Sequence, residues 1–234
     1  MTRVAILDYG MGNLRSVEKA FARVGAGAVI TSDSARAAQA DGLVLPGVGA
    51  FPRAMERVRE LGFDRLVEER LAAKTPVLGI CLGFQLLFES SSELGGARGL
   101  GLLAGEVTGL DAPGLKVPHI GWEPVRWERP SELAEGIEEG TPFYFVHSFA
   151  PRPRDPEAVL ATAEHGERFA CAIARPPLFG VQFHPEKSSA AGLRLLANFA
   201  RVCRPPAPDA GADSNGRRRS RRQGVRAGAE EPAD

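Results

Sequence analysis

Apolar and polar positions follow two rhythms in the first half of the chain. Short apolar runs predict buried strands, whereas apolar residues that recur every three or four positions, as between Leu14 and Val24, predict helices. Asn13 precedes this helix, where an asparagine side chain caps free N–H groups. We predict strands over 4–7, 28–31, 43–45 and 77–80, and helical segments over 14–24, within 50–73 and from 82. This alternation indicates an α/β fold with a mostly parallel sheet covered on both faces.

The pattern of apolar and polar positions changes after Leu102, where short apolar runs are separated by turns containing glycine and proline. We predict strands over 104–110, 123–127, 143–149, 158–164 and 168–175, which form an antiparallel extension of the same domain. His165 would then lie in an exposed hairpin turn. Leu178–Phe183 returns to the parallel core, and 190–202 forms the last helix.

Length and charge limit the possible classes of protein. The chain has 234 residues with a formal net charge of +0, which suits one α/β domain that we place at residues 1–203. The balanced charge indicates no nucleic-acid or membrane partner. No apolar run approaches the roughly 18 residues of a transmembrane helix, and the first residues enter a strand without the features of a signal peptide.

The three cysteines do not form a disulfide framework. Cys171 lies in an alternating strand and Cys203 at the end of a helical pattern, so both are expected to be structural. No cysteine and histidine cluster has the spacing of a metal site, so neither a metal nor a cofactor is predicted. A reducing cytoplasm fits this usage.

Residues 204–234 differ in composition from the rest of the chain. Proline, alanine, glycine, aspartate and arginine dominate, which predicts a disordered tail. The run Arg217–Arg222 could contact an acidic surface, although a solvated extension without a specific role is the simpler interpretation.

Cys81 follows a short apolar strand, between two glycines and before a predicted helix. A Gly-x-Cys-x-Gly turn of this kind is a nucleophile elbow with cysteine as the nucleophile. The amino end of a helix favours a thiolate. Buried cysteines are often inert, so this motif needs support from others.

His184 and Glu186 supply that support, because they stand two residues apart after a second apolar run. On an extended backbone both side chains leave from the same side. A base that takes the thiol proton and a carboxylate that orients its ring are what a thiol nucleophile requires. The pattern therefore predicts a Cys81, His184 and Glu186 triad.

An oxyanion hole is predicted in the glycine-rich loop that follows the strand at 43–45. The N–H groups of Val48 and Gly49 could hold the oxygen that becomes negative when the thiolate attacks a carbonyl. The N–H of Leu82, directly after the nucleophile, would be a further donor. By itself this loop would be read as an ordinary strand-to-helix turn.

Together these motifs resemble the class I (triad-type) glutamine amidotransferases over residues 3–202. The resemblance implies a flavodoxin-like fold and attack of Cys81 on the side-chain amide of glutamine, which gives a γ-glutamyl thioester and ammonia. His184 would act as base and then as acid. Gly47, Gln85 and the Leu82 backbone would bind the substrate. His147, Ser148 and Phe149 would border the same pocket.

Further segments resemble the amidotransferase subunits of imidazole glycerol phosphate synthases. They are Asp8–Leu14, Pro46–Phe51, Pro118–Trp122, Tyr144–Phe149 and Val181–Ser188. The resemblance implies a heterodimer with a cyclase subunit, a (β/α)8 barrel. In that family the ammonia enters the barrel, reacts with a ribulosyl-bearing aminoimidazole-carboxamide ribonucleotide, and contributes to histidine biosynthesis.

Three residues of these segments are expected at the interface with the cyclase. They are Asn13, Trp122 and Lys187, of which Lys187 directly follows the triad carboxylate. Trp122 could equally be core filling, and His119 could be structural or interfacial. Two positions depart from the family pattern, since Glu123 stands where asparagine is expected and Phe149 where tyrosine is usual.

Three other interpretations remain open at this point. The chain could be the glutaminase partner of another synthase, such as one making pyridoxal phosphate, or a peptidase or thiol hydrolase acting alone. It could also be a non-catalytic regulatory or scaffold protein. The Tyr144–Ser148 segment and Gln85 favour an amidotransferase subunit of imidazole glycerol phosphate synthase over these alternatives. An intact triad argues against loss of activity.

Overall fold

Strands and helices alternate up to Gln85 in the computed structural model, which describes residues 2–204. The first elements are β1 (Arg3–Leu7), α1 (Leu14–Arg23), β2 (Gly27–Thr31), α2 (Ser34–Ala37), β3 (Gly42–Gly47), α3 (Phe51–Glu60), α4 (Phe63–Ala72), β4 (Val77–Cys81) and α5 (Leu82–Gln85). The helices that were predicted at 14–24 and within 50–73 are confirmed, with a break between α3 and α4 at Gly62, where φ is 68°.

Strands dominate the remainder until the last helix. They are β5 (Phe88–Ser91), β6 (Ala97–Arg98), β7 (Leu103–Gly109), β8 (His119–Pro124), β9 (Arg126–Trp127), β10 (Pro142–His147), β11 (Phe149–Pro153), β12 (Val159–His165), β13 (Glu167–Arg175) and β14 (Leu178–Val181), followed by α6 (Ser189–Val202). Single 3₁₀ turns occur at Glu93–Gly95, Glu132–Ala134, Pro156–Ala158 and Pro185–Lys187.

The main sheet has eight strands in the order β2-β1-β3-β4-β14-β13-β12-β9. The pairs from β2 to β14 are parallel, and β13, β12 and β9 continue the sheet antiparallel. One apolar cluster packs α1 and α6 against one face of this sheet, and a second cluster packs α3 and α4 against the other. The predicted α/β class with a mostly parallel core is therefore confirmed.

The antiparallel part is more divided than the sequence predicts. Besides the main sheet there is a two-stranded sheet, β10-β8, and a four-stranded sheet, β11-β7-β5-β6. The strand predicted over 123–127 is wrong, because the chain changes sheets at Val125, directly after Pro124, which has no N–H to continue a ladder. The strand predicted over 143–149 likewise divides at Ser148.

Several short elements were not predicted. They are α2, β5 and β6, each of four residues or fewer. Within residues 2–204, no helix combines the length and the apolar character needed to cross a membrane. The predicted tail lies outside the described residues from 205 onward, and the domain boundary at 203 stays a prediction.

Candidate active site

A tight turn between β4 and α5 carries Cys81. Its φ of 53° and ψ of −110° form a conformation that residues with a side chain rarely adopt, at a cost on the order of 1–3 kcal/mol. A Cβ on Gly79 would come within 2.8 Å of the Phe84 backbone. A Cβ on Gly83 would come within 1.7 Å of the Leu45 carbonyl oxygen. Both glycines are required by close backbone approach, which holds the strained turn in place.

The helix after Cys81 is a single turn. α5 has four residues, because the chain leaves it at Leu86 and enters β5 at Phe88. One turn has little macrodipole, so the sequence-based argument from the helix dipole carries less weight than the groups around the thiol.

Two polar groups lie beside the thiol, and neither belongs to a predicted site residue. Sγ of Cys81 lies 3.9 Å from the carbonyl oxygen of Val146 and 3.7 Å from Nε2 of Gln182. Cys81 is 5% exposed and Gln182 is fully buried. The thiol therefore has an acceptor on one side and an amide donor on another.

His184 and Glu186 are in direct contact, with Nδ1 of the imidazole 2.8 Å from Oε1 of the carboxylate and each side chain 3% exposed. The expected extended backbone is wrong for Glu186. β14 ends at Val181, and Pro185 opens the 3₁₀ turn Pro185–Lys187, because its ring fixes φ at a value suited to a helix start. The contact is made across this turn.

The imidazole is poised to hold a proton. Burial lowers the pKa of His184, but contacts with Cys81 and Glu186 outweigh burial and raise the pKa to about 9. Nε2 is buried and forms no hydrogen bond with any described residue. A histidine that holds a proton this readily is suited to take one from a neighbouring thiol.

Tyr9 supports the glycine-rich loop that follows β3. The Tyr9 hydroxyl donates to the Pro46 carbonyl at 2.5 Å, and burial raises the Tyr9 pKa far above its usual range. A Cβ on Gly47 would lie 2.1 Å from that hydroxyl oxygen. Gly49 has φ +117°, and a Cβ there would lie 2.5 Å from Cε of Met11. The loop therefore depends on glycine at both positions.

A cavity of about 240 Å³ lies between this loop and the elbow. It is lined by Val48, Gly49, Cys81, Leu82, Gln85, Glu93, Pro118, Val146, His147, Ser148 and Phe149. Most of the predicted pocket residues are brought together here. Gly47 is not in the lining, because its α-carbon packs against Tyr9 and Leu82.

Gln85 and His147 both contact the backbone of Phe149. Nε2 of Gln85 donates to the Phe149 carbonyl oxygen at 2.9 Å, and Nδ1 of His147 lies 2.9 Å from the same atom. A carbonyl oxygen can only accept, so Nδ1 of His147 carries the proton. Burial lowers the pKa of His147 to about 3, which keeps this ring neutral.

A histidine cluster extends from His147 toward β12. Nδ1 of His119 lies 3.3 Å from Nε2 of His147, and His119 stacks on His165 with ring centroids 4.1 Å apart. The prediction of an exposed hairpin site for His165 is therefore wrong for its side chain, which is half-buried against His119. Oε2 of Glu123 lies 3.8 Å from Nε2 of His119, too far for a hydrogen bond. In residues 2–204, no group of three or more His, Cys, Asp or Glu side chains is placed to hold a metal ion.

The β8-β10 sheet presents apolar side chains to solvent beside the cavity. Across the pair, Ile120 opposes Val146 and Trp122 opposes Tyr144, so the four lie on one face. Ile120 is 61% and Trp122 50% exposed, which excludes Trp122 as core filling. Nζ of Lys187 lies 5.8 Å from the Tyr144 ring centroid, at the border of this face. We call these five residues the β8-β10 face.

Asn13 has a local role that the sequence predicts. Its Oδ1 accepts from the Ser16 N–H at 3.4 Å and caps α1. Its predicted contact with a partner stays a prediction.

Glu93 and Gln182 are site residues that were not predicted from the sequence. Of the described residues that line the cavity, Glu93 alone carries a carboxylate, and Oε2 of Glu93 also accepts from the Phe51 N–H at 2.8 Å. A signal existed for Gln182, since it is an amide within an apolar run directly before Phe183 and His184.

Comparison with known proteins identifies a family. The sequence model for "Glutamine amidotransferase class-I" matches residues 5–203. The imidazole glycerol phosphate synthase subunit HisH of Moorella thermoacetica is 52% identical over 204 residues, covering 87% of this chain and 97% of that protein. The corresponding subunit of Aquifex aeolicus is 49% identical over 200 residues, covering 85% and 96%.

Solved structures agree in fold. PurLQS from Thermotoga maritima superposes with a TM-score of 0.68 at 16% identity, covering 87% of this chain and 99% of that one. A glutamine amidotransferase superposes with a TM-score of 0.65 at 23% identity, covering 86% and 98%. At these identities the likeness concerns the fold alone.

Proposed function

Since this chain belongs to the class I glutamine amidotransferases, and among them to the glutaminase subunits of imidazole glycerol phosphate synthase, we propose that Cys81, His184 and Glu186 form the triad that hydrolyses the substrate glutamine. The observation that carries this assignment is the geometry at Cys81. A thiol on a strained turn lies at a glutamine-sized cavity, near a buried histidine whose other nitrogen contacts a buried carboxylate.

The reaction follows from this geometry. The Cys81 thiolate attacks the carbon of the side-chain amide, and the N–H groups of Val48, Gly49 and Leu82 hold the resulting oxyanion. His184 gives its proton to the leaving nitrogen, the C–N bond breaks, and a γ-glutamyl thioester and ammonia form. His184 then takes a proton from a water molecule, whose oxygen attacks the thioester carbon. The C–S bond breaks, glutamate leaves, and the sulfur takes the proton back from His184, which regenerates the thiol.

The cavity also contains groups suited to the α-amino acid end of glutamine. The Glu93 carboxylate would pair with the α-ammonium group. Gln85, His147 and Ser148 surround the remaining polar atoms, and the Phe149 carbonyl is fixed by the first two.

The partner subunit of the synthase, in our proposal, is a (β/α)8-barrel cyclase that docks on the β8-β10 face. Two observations support this docking site. Ile120 and Trp122 are exposed apolar side chains of the kind that dominate interface energy, and Val146 joins this face to the cavity in which ammonia forms. Lys187 would supply a charge at the rim.

A reducing compartment, such as the cytoplasm, suits this chemistry, because the Cys81 thiol must remain unoxidised. Cys171 and Cys203 are buried, and burial raises the pKa of both thiols, that of Cys203 to about 12. These two thiols are therefore poor nucleophiles, which leaves Cys81 as the reactive one.

The test is glutamate release from glutamine by the purified chain, alone and with the cyclase subunit and its nucleotide substrate. We expect the loaded cyclase to stimulate release strongly. Trp122→Ala should raise the Kd for the cyclase by about tenfold or more. Leu94→Ala, a leucine that is 79% exposed outside the β8-β10 sheet, should leave the Kd unchanged. An equal rate of glutamate release with and without the loaded cyclase would overturn the assigned partner.

A further inference from the structure

Gln182 occupies a position that the triad alone does not explain. It follows β14 and precedes His184 by two residues, and its side chain is fully buried between the Cys81 thiol and Gln85. Nε2 of Gln182 lies 3.7 Å from Sγ, and its Oε1 accepts from Nε2 of Gln85 at 3.1 Å. The Gln182 N–H also donates to the Cys171 carbonyl at 2.8 Å, so the backbone beneath this side chain is anchored.

The orientation of this amide follows from its neighbours. The Phe149 carbonyl can only accept, so the atom of Gln85 that faces it is the NH₂ group. That NH₂ group can bond only to an acceptor, so Gln182 turns its oxygen toward Gln85. The NH₂ group of Gln182 is then left facing Sγ. The backbone of Phe149 therefore determines, through two glutamines, that the thiol receives an N–H donor.

An N–H donor stabilises a thiolate more than a thiol, since hydrogen bonds to a charged acceptor are the stronger ones. In the thiol form the proton instead has the Val146 carbonyl oxygen as its acceptor, 3.9 Å from Sγ. The contact to Gln182 is present beside it, so loss of the proton removes the contact to Val146 and leaves the thiolate with the N–H donor of Gln182. The amide of Gln182 is thus placed to favour the reactive form of Cys81.

We propose that Gln182 is a further residue of the catalytic site, whose amide N–H holds the Cys81 thiolate and whose oxygen ties it to Gln85 in the glutamine pocket. This inference rests on the proposed function, since it assumes that Cys81 is the nucleophile. Pocket and nucleophile are linked by this one side chain.

The direct readout is the pH dependence of Cys81 alkylation by iodoacetamide, followed by peptide mass spectrometry. The titratable groups around the thiol are His184 with its partner Glu186, Tyr9, and the cavity residues His147 and Glu93, and none is altered in the variants below. In Gln182→Glu the donor is lost while an acceptor for Gln85 remains. We expect the alkylation midpoint to rise by about one pH unit and glutaminase kcat to fall about tenfold or more, with a smaller change in KM.

Gln182→Met is the second variant, because it preserves volume and removes the donor without adding a charge. It should raise the alkylation midpoint in the same direction. Asn198→Asp is the matched control, since Asn198 is a buried amide whose NH₂ group donates to the Leu133 and Glu135 carbonyls away from the thiol. It should lower stability and leave the alkylation midpoint unchanged.

The inference is overturned if folded Gln182→Met or Gln182→Glu alkylates with the wild-type midpoint and retains kcat within about twofold. The proposed function fails separately, by retention of glutaminase activity in Cys81→Ala. The two failures are therefore distinguishable.

Discussion

Nδ1 of His184 and Oε1 of Glu186 lie 2.8 Å apart, and both side chains are almost completely shielded from solvent. A buried ion pair of this kind is strongly dependent on both partners, because removal of one leaves an uncompensated buried charge. In this molecule the pair also sets the orientation of Nε2, the nitrogen that faces the reacting groups.

Glu186→Gln should preserve the volume of the side chain and lose the charge that stabilises protonated His184. We expect glutaminase kcat to fall by about 100-fold or more, with little change in KM, because orientation and charge act mainly in the transition state. Steady-state glutamate release measures both constants. Glu135→Gln, which breaks an exposed pair with Arg201, is the control and should retain wild-type kcat. A Glu186→Gln enzyme with wild-type kcat would remove Glu186 from the triad.

Stability should depend on pH through His184. Its folded-state pKa is about 9, above the ordinary value of 6.5, so folding favours the protonated ring. The stabilisation is fully present below pH 6.5 and is lost as the pH rises through about 9. The difference in Tm between the wild-type protein and His184→Gln should therefore shrink across this window. Thermal unfolding of both proteins at a series of pH values measures it, and a constant difference would contradict the assignment of charge.

Tyr9→Phe should loosen the oxyanion loop. The substitution removes the buried hydrogen bond from the Tyr9 hydroxyl to the Pro46 carbonyl, which costs about 1 kcal/mol of unfolding free energy. Gly47–Gly49 directly follow Pro46, so we expect kcat to fall even under conditions in which the variant is fully folded. Urea unfolding and glutamate release on the same sample separate the two effects. Unchanged kcat at reduced stability would limit Tyr9 to a structural role.

Much of the fold was predictable because it follows from local pattern. The parallel strands are continuous apolar runs, and α1 has both helical spacing and the Asn13 cap. The division of the antiparallel part was less predictable. Pro124 marks a place where a ladder can end, but the strands that pair on either side of Val125 are distant in the chain, in β10 and β12.

The candidate site likewise contains features that local sequence patterns predict and features that they do not. Cys81, His184 and the glycine-rich loop carry their signals in adjacent residues. Cys81, Val48 and Gly49 line one cavity. His184 lies outside that lining, close enough to Cys81 for the sulfur to help raise the histidine pKa. The stacking of His119 on His165 and the contact of Gln182 with the thiol join segments far apart in the chain, so no local pattern reports them. Glu93 was not predicted because it lies in the short 3₁₀ turn after β5, a strand that forms through pairing with the distant β7.

Glu93→Gln should weaken glutamine binding. The amide removes the charge that would pair with the α-ammonium group but can still accept from the Phe51 N–H, so the start of α3 is kept. We expect KM for glutamine to rise about tenfold with kcat changed less, in line with the loss of a charge-assisted hydrogen bond. Glu56→Gln, an exposed carboxylate on α3, serves as the control. Equal KM values for the Glu93→Gln and Glu56→Gln variants would exclude this role of Glu93.

The most direct test of the account is product formation by the complete synthase carrying Cys81→Ala, with glutamine or with ammonium salt as the nitrogen source. We predict that glutamine-dependent synthesis is lost while ammonia-dependent synthesis continues at the wild-type rate, because the substitution removes the nucleophile and leaves the cyclase untouched. Glutamine-dependent synthesis that survives Cys81→Ala would contradict the assignment of Cys81 as the nucleophile.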